Sequence, residues 1–167
     1  RNDARHGRAQ AGAMSGGLSR RRLVAAAYDA ITSSPALAFA SHLLGLRQRN
    51  DLWLLHGWCR AGAELVSRPD AESATVTLRD KTEAALHGEP LGDAPFDGLA
   101  LLIRQRGLPV EYPRRIVDGL ALDAADFRPR DEEELYGYCH LIGGLPAALA
   151  AIACGVAPDD RATLARA

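Results

Sequence analysis

LLHGWCRAGAELV, residues 54–66, decides the fold class. With Leu52 just ahead of it, Leu55, Cys59 and Ala63 recur three and four residues apart, which places them on one stripe of an α-helix. The spacing predicts a helix from about Arg49 to Val66, broken by Arg68-Pro69-Asp70. The apolar frame, the tryptophan and the Cys59-Arg60 pair suit a helix that presents acids at its end. Yet Glu64 is the only acid between residue 54 and Asp70.

Outward from this stretch the same period repeats. Ser19 can cap a helix carrying Leu23, Ala26, Ala27 and Ile31, which stops near Ser33-Ser34-Pro35. A second helix is predicted over Ala36–Leu44. Beyond the central one, Thr75–His87 ends at Gly88 and Pro90, and Pro95–Arg106 is stopped by GLP at 107–109. Further helices are predicted from about Pro113 to Ala125, over Asp131–Ile142 and over Pro146–Cys154. Asp131 is the cap of its helix, and the acids of the DEEE run (131–134) suit the positive end of a helix dipole. Strand-type alternation is almost absent and no repeat has a fixed period, so the fold class is all-α with short connections.

Composition excludes several functions. The 167 residues are 47% hydrophobic and 25% charged, enough for a buried core in one domain or part of a larger one. Twenty Lys and Arg nearly cancel 21 Asp and Glu, leaving a net charge of −1 and no footprint for nucleic acid. Cys59, Cys139 and Cys154 form no CxxC pair and leave an odd count, which argues against a disulfide framework and a zinc site and for a reducing, cytoplasmic compartment. All three lie in apolar helical contexts and are expected to be inert packing residues. No run of about 18 consecutive apolar residues reaches the length of a membrane span. Residues 1–17 are polar and without periodicity and are expected to be a disordered leader ahead of a domain over 18–167. The arginines of that leader could touch anionic lipid, a peripheral contact with the inner membrane, or simply be solvated.

Three segments resemble, in order and spacing, the squalene/phytoene synthase family, closest to its bacterial phytoene synthases. LWLLHGWCRAGAELV (52–66) resembles the family's first Asp-rich helix, GLPVEYPRRIVDGLALDAADFRPRDEEELYGYCHLIGG (107–144) its Tyr-Pro to Tyr-Cys-Tyr signature, and GVAPDDRATLARA (155–167) the stretch before its second Asp-rich helix. The resemblance implies an isoprenoid-synthase-type helical bundle around a central cavity. It also implies head-to-head condensation of two prenyl diphosphates, geranylgeranyl (C20) or farnesyl (C15), with Mg²⁺ clamped between diphosphate oxygens and carboxylates.

Carried over residue by residue, the family's leading Asp falls on Ala63, the next on Glu64, and the one a turn later on Ser67. Only Glu64 remains as a weak metal ligand. Arg60 keeps the place of the Cys-Arg arginine that can hold a diphosphate oxygen, and His56 replaces a tyrosine. The Ser-Lys-Ser-Phe element falls on Ser34-Pro35-Ala36-Leu37, so Ser34 alone survives as a polar substrate-binding group; Leu37 and Ser41 are assigned to the cavity lining. Tyr138 and Cys139 match the Tyr-Cys pair, His140 replaces the second tyrosine, and Pro146 falls inside what the family builds as a continuous helix. Because the chain ends at Ala167, before the second Asp-rich motif, the bundle is expected to lack its C-terminal helices. The groove thus exposed is expected to favour self-association.

Each of these residues also has a structural reading. Arg60 and Glu64 can form a solvated i,i+4 pair, as can Glu64 and Arg68. Asp118, Asp123 and Asp126 have no evident partner, with Asp123 and Asp126 on one helical face. His56 and His140 could pair across the cavity as bases or ligands, or bond backbone carbonyls; Tyr138 could line the cavity or pack between helices. Two functions follow: a truncated or diverged prenyltransferase with little or no activity, or a non-catalytic helical scaffold or assembly factor that binds a lipid or a partner protein.

Overall fold

A computed structural model describes residues 18–156, so the leader expected over 1–17 and most of the 155–167 segment lie outside the described residues. The helices are α1 (Arg20–Thr32), α2 (Pro35–Ser41), α3 (Leu46–Val66), α4 (Ala71–Leu86), α5 (Ala94–Arg106), α6 (Glu111–Ala124), α7 (Glu132–Cys139) and α8 (Leu145–Ala153). A five-residue π-helical turn, His140–Gly144, joins the last two. No strand occurs among the described residues, and the architecture is all-α, consistent with an isoprenoid-synthase-type bundle.

The central position of α3 follows from its sequence: it packs against α1, α4, α5, α6 and α8. Its large apolar side chains Leu54, Leu55 and Trp58 are buried against Ile31, Phe96, Leu99, Leu102 and Leu149. Its glycines let neighbours approach closely. A Cβ on Gly57 would touch Ala27, and one on Gly62 would lie 2.9 Å from the Leu120 side chain. Helices α1 and α3 run in the same direction, since Arg20 meets Asp51 at one end and Ala30 shares a cleft with Arg60 at the other. α5 runs the opposite way, with Arg106 at Asp51 and Pro95 at the Arg60 cleft.

Asp51 ties these three helices together. It is fully buried on α3 and takes charge-assisted bonds from Arg20 on α1 at 2.6 Å and from Arg106 Nε on α5 at 2.6 Å. Close by, Gln48 donates to the Cys154 carbonyl at 2.6 Å and so holds the end of α8 against the start of α3.

Several boundaries differ from the sequence reading for local reasons. α4 starts at Ala71, one residue after Asp70, because the break at Arg68-Pro69 is tight enough for the helix to restart at once. α2 ends at Ser41, and its backbone continues as turns through Leu44. Ser19 stands at the N-cap of α1 but offers only its carbonyl, to the N–H groups of Arg22 and Leu23. Asp131 caps α7 as expected, accepting from the Glu134 N–H at 2.9 Å.

The helix predicted over Asp131–Ile142 is not uniform, and Pro146 shows why. At the π turn the Leu145 N–H reaches back to the His140 carbonyl, and Pro146 then falls in the first turn of a new helix, where no backbone donor is needed. Glu132–Ala153 as a whole is long and apolar enough to cross a membrane, which the count of consecutive apolar residues did not register. Its second half is core, with Leu145, Ala148, Leu149 and Ile152 buried, whereas α7 has no buried residue.

Candidate functional site

The carboxy-terminal half of α3 faces a cleft of about 300 Å³ bounded by the end of α1 and the start of α5. Its polar groups are Arg60 and Glu64 from α3, and Asp29 and Ser33 from the end of α1, while Ala26, Ala30, Ala61 and Pro95 supply apolar walls. The i,i+4 spacing brings Arg60 and Glu64 together, and the guanidinium donates to the Glu64 carboxylate at 2.7 Å. Both side chains are largely in solvent, Glu64 at 62% exposure, so the pair is a weak one.

The two positions to which the family resemblance carries further acids, 63 and 67, are joined by a bond of their own. The Ser67 hydroxyl donates to the Ala63 carbonyl at 2.7 Å, closing the last turn of α3 on itself. His56, one turn before Arg60, is half-buried, and its Nε2 is enclosed without a hydrogen-bond partner. Burial holds its pKa below the usual histidine value, the Ala30 backbone pulls it partly back up, and the nearby Arg60 charge lowers it again. The ring sits at the edge of the core, where burial favours its neutral form.

Other predicted site residues lie elsewhere. Ser34 is the N-cap residue of α2 and makes no side-chain cap bond; its neighbour Ser33 is the one that lines the cleft. Leu37 packs against the core. Ser41 is fully buried, accepts the Trp53 indole N–H at 3.0 Å and donates to the Ala38 carbonyl at 2.7 Å, so it is a core residue. Tyr138 does not reach the Arg60 cleft. Its hydroxyl donates to Asp123 and its ring leans on Phe127; the bond to the Asp123 carboxylate, helped by burial, pushes the phenol up to about 12.

His140 lies with Arg115, Tyr136, Cys139 and Gly144 around a shallow opening beside the π turn, whereas His56 faces α1; the two histidines do not pair. Gly144 allows this placement, because a Cβ there would meet His140 Nδ1 at 2.9 Å.

The three aspartates of the α6 region are partnered after all. Asp118 pairs with Arg79 at 2.7 Å, Asp123 with Tyr138, and Asp126 with Arg128. α6 ends at Ala124 and Asp126 turns away at φ 53°, so Asp123 and Asp126 share no helical face. The cysteines also differ from one another: Cys139 is exposed, while Cys59 packs against the core, where burial pushes its thiol up to about 12.

Sequence reading missed Asp29 and Ser33 as cleft residues, because their role depends on α1 lying parallel to α3. It also missed Asp51, although an acid spaced four and seven residues before Leu55 and Trp58 is a recognisable sign of a buried charge.

A Mg²⁺ cluster does not fit these residues. Glu64 is the only carboxylate left at the three motif positions, it is engaged by Arg60, and no group of three or more His, Cys, Asp or Glu side chains suited to a metal occurs among the described residues. The frame of the motif is intact while its ligand set is not.

The frame is shared with known proteins. The squalene/phytoene synthase family model matches residues 32–167, from the end of α1 onward. The chain belongs to the squalene/phytoene synthase family. It is similar to the 15-cis-phytoene synthase of a Paracoccus strain, 33% identical over 156 residues that cover 84% of this chain and 51% of that protein. Two tomato (Solanum lycopersicum) proteins also match. Chloroplastic phytoene synthase 1 is 30% identical over 125 residues, 72% of this chain and 30% of that protein. Chloroplastic phytoene synthase 2 is 32% identical over 120 residues, 70% of this chain and 38% of that protein. The chain thus matches between 30% and 51% of the length of these relatives. No solved structure matches it.

Proposed function

We propose that the chain is a phytoene-synthase-type domain of isoprenoid and carotenoid biosynthesis that binds a prenyl diphosphate and turns it over slowly or not at all. The observation that carries this reading is the state of Glu64: one solvent-exposed carboxylate, held by Arg60, stands where the family places several. Family membership supports prenyl diphosphates, geranylgeranyl or farnesyl, as the ligand class. In the cleft, Arg60 is the group suited to a diphosphate oxygen, and binding would exchange the Glu64 carboxylate for the more highly charged anion. When bound, Mg²⁺ supplies the family's leaving-group stabilisation; the residues at 63, 64 and 67 do not supply its clamp.

Incubation with geranylgeranyl or farnesyl diphosphate, with and without Mg²⁺, tests both halves of the proposal. The expected result is a raised melting temperature with the prenyl diphosphate and little or no pyrophosphate release. Mg²⁺-dependent release at an enzyme's ordinary rate would overturn the loss of catalysis, and absence of any thermal shift would overturn the ligand. One observation favours the scaffold reading as second choice. α7 buries none of its residues and exposes Leu135 and Tyr136, a face open to a partner helix or a second copy. That reading requires association in solution that substitution of Leu135 and Tyr136 abolishes.

A further inference from the structure

A second cavity, of about 250 Å³, lies where the start of α1 and the turn after α4 meet α5. Leu18, Leu23, Ala100 and Leu101 form its apolar wall, and Glu89, Asp97 and Arg104 are its charged groups. Among them Asp97 is the unusual one. It stands in the first turn of α5, where the helix dipole favours an acid, and is only 8% exposed. One carboxylate oxygen, Oδ1, accepts the Leu91 N–H at 2.9 Å. The other, Oδ2, is enclosed and meets no donor among the described residues. A buried carboxylate oxygen without a donor is costly, and the Leu91 bond, which uses only Oδ1, does not account for it.

The surroundings of Asp97 hold acceptors rather than donors. α4 ends at Leu86, and Gly88 then turns the chain in the left-handed region at φ 77°. The Gly88 N–H is bonded to the Ala85 carbonyl and the Glu89 N–H to the Ala84 carbonyl, Pro90 has no N–H, and that of Leu91 is held by Asp97. Every backbone donor from 88 to 91 is thus engaged. What the turn can offer is carbonyl oxygens and the exposed Glu89 carboxylate, next to the negative end of the α4 dipole. Of the two cations in the neighbourhood, Lys81 is held by Asp93 at 2.7 Å. Arg104 is exposed and stands two turns beyond Asp97, about 10 Å further along the α5 axis.

We propose that this cavity binds a primary alkylammonium compound, whose ammonium donates to Asp97 Oδ2, to the Glu89 carboxylate and to a carbonyl of the 88–90 turn, while its short alkyl chain lies on Leu23, Ala100 and Leu101. An ammonium brings three donors and no acceptor to a site made of acceptors. A bare cation such as Ca²⁺ takes about six to eight oxygen ligands and would gain nothing from the apolar wall, whereas an alkyl chain is buried by it. The volume is below that of sites for drug-sized ligands, which limits the chain to a few carbons. The inference is independent of whether the Arg60 cleft binds a prenyl diphosphate, since the two cavities share only Leu23 and the proposed ligand has the opposite charge.

Titration of the whole chain with n-butylammonium chloride, followed by the backbone amide chemical shifts, tests it, with n-butanol and with sodium or calcium chloride at equal ionic strength as comparisons. n-Butylammonium should give saturable shifts concentrated at residues 88–91 and 97–101, and the comparisons should not. Asp97→Asn keeps an oxygen for the Leu91 N–H but puts an amide in place of Oδ2, and should weaken binding at least about tenfold. Glu89→Gln, at a solvent-exposed position that the fold does not need, should weaken it about two- to fivefold and serves as the test if Asp97→Asn does not fold. Glu72→Gln, at an exposed acid in the first turn of α4, should leave binding unchanged. Equal shifts with n-butanol would assign the cavity to an uncharged ligand, and equal shifts with either salt to an inorganic cation; each overturns the proposal. So does unchanged affinity in the variants at Asp97 and Glu89. The absence of saturable shifts would leave Oδ2 to water and overturn it as well.

Discussion

Asp51 and Glu64 lie thirteen residues apart on the same helix, and each is an acid bonded to arginine. The first is fully buried and receives arginines from two other helices; the second is 62% exposed and receives one from its own. Burial makes the difference. A desolvated carboxylate between two guanidinium groups cannot be removed without leaving unpaired charge in the core, whereas a solvated carboxylate can be replaced by water. At Asp51 the helix is therefore constrained by the fold, whereas in its carboxy-terminal half only the buried face with Trp58, Gly62 and Val66 is so constrained, and the exposed positions around Glu64 are constrained only by what they bind. This accounts for an intact helical frame at 54–66 around Ala63 and Ser67, the positions to which the family resemblance carries further acids.

The hardest test of that contrast is Asp51→Ala. It would leave Arg20 and Arg106 facing each other in a partly buried site and should cost about 3–5 kcal/mol, a large share of a small domain's stability. Urea denaturation followed by circular dichroism reads this directly. A loss below about 1 kcal/mol would mean that water reaches the triad and that the two halves of α3 do not differ as argued.

Next in size comes the contact of α6 with the π turn. A Cβ on Gly119 would lie 2.8 Å from the Leu141 Cβ and 3.0 Å from the Ile142 Cγ2 atom. Gly119→Ala should destabilise by about 1–3 kcal/mol, because backbone-proximal carbons cannot move aside. The same unfolding measurement checks it. An unchanged midpoint would show that the π turn is a soft joint able to shift away from α6.

A smaller effect, readable through pH, belongs to His56, which stands between the two halves of α3. Its folded pKa is depressed below 6.5, chiefly by burial. Well above 6.5 the imidazole is neutral in both folded and unfolded chains, and its contribution to stability is fully present. As the pH falls below that value the unfolded chain takes up the proton first. The contribution is therefore lost progressively as the pH descends through the folded value. Comparing unfolding midpoints at about pH 7.5 and about pH 5.5, the parent chain should weaken more on acidification than His56→Gln. Equal acid sensitivity would show that solvent reaches Nε2 freely.

These contrasts also explain how much was readable from the residues alone. The all-α class and the positions of the helices followed from apolar spacing and from breakers such as Pro69, Pro90 and Gly107. The Arg60–Glu64 pair was legible because i,i+4 partners on one helix need no tertiary information. The π turn was only half legible: Pro146 marked a conflict in a continuous helix, but the i,i+5 shift that resolves it depends on how closely α6 approaches at Gly119. The partners of Asp51, Asp118 and Asp123 come from other helices, and Ser41 looked like a cavity hydroxyl because nothing in the sequence places it against Trp53. The bond of Tyr138 to Asp123 was hidden for the same reason. Family motifs carried its role to a cavity, while its nearest acid, Asp123, stands 15 positions earlier on α6.

The smallest expected effect is at Glu64 itself. Glu64→Gln removes an exposed i,i+4 ion pair and should change stability by no more than about 0.5 kcal/mol, and by less at high salt, where exposed charges are screened. Ligand binding should respond with the opposite weight. Without the Glu64 carboxylate, Arg60 no longer has to exchange an internal partner for an incoming anion, so the cleft should take a prenyl diphosphate more tightly in the variant than in the parent. Calorimetric titration of both proteins with geranylgeranyl diphosphate in the absence of Mg²⁺ distinguishes the cases. Tighter binding with unchanged stability would place Arg60 as the anion-holding group and Glu64 as its competitor. Weaker binding would mean that the carboxylate orients the guanidinium toward the ligand, and the second half of α3 would then be as constrained as the first.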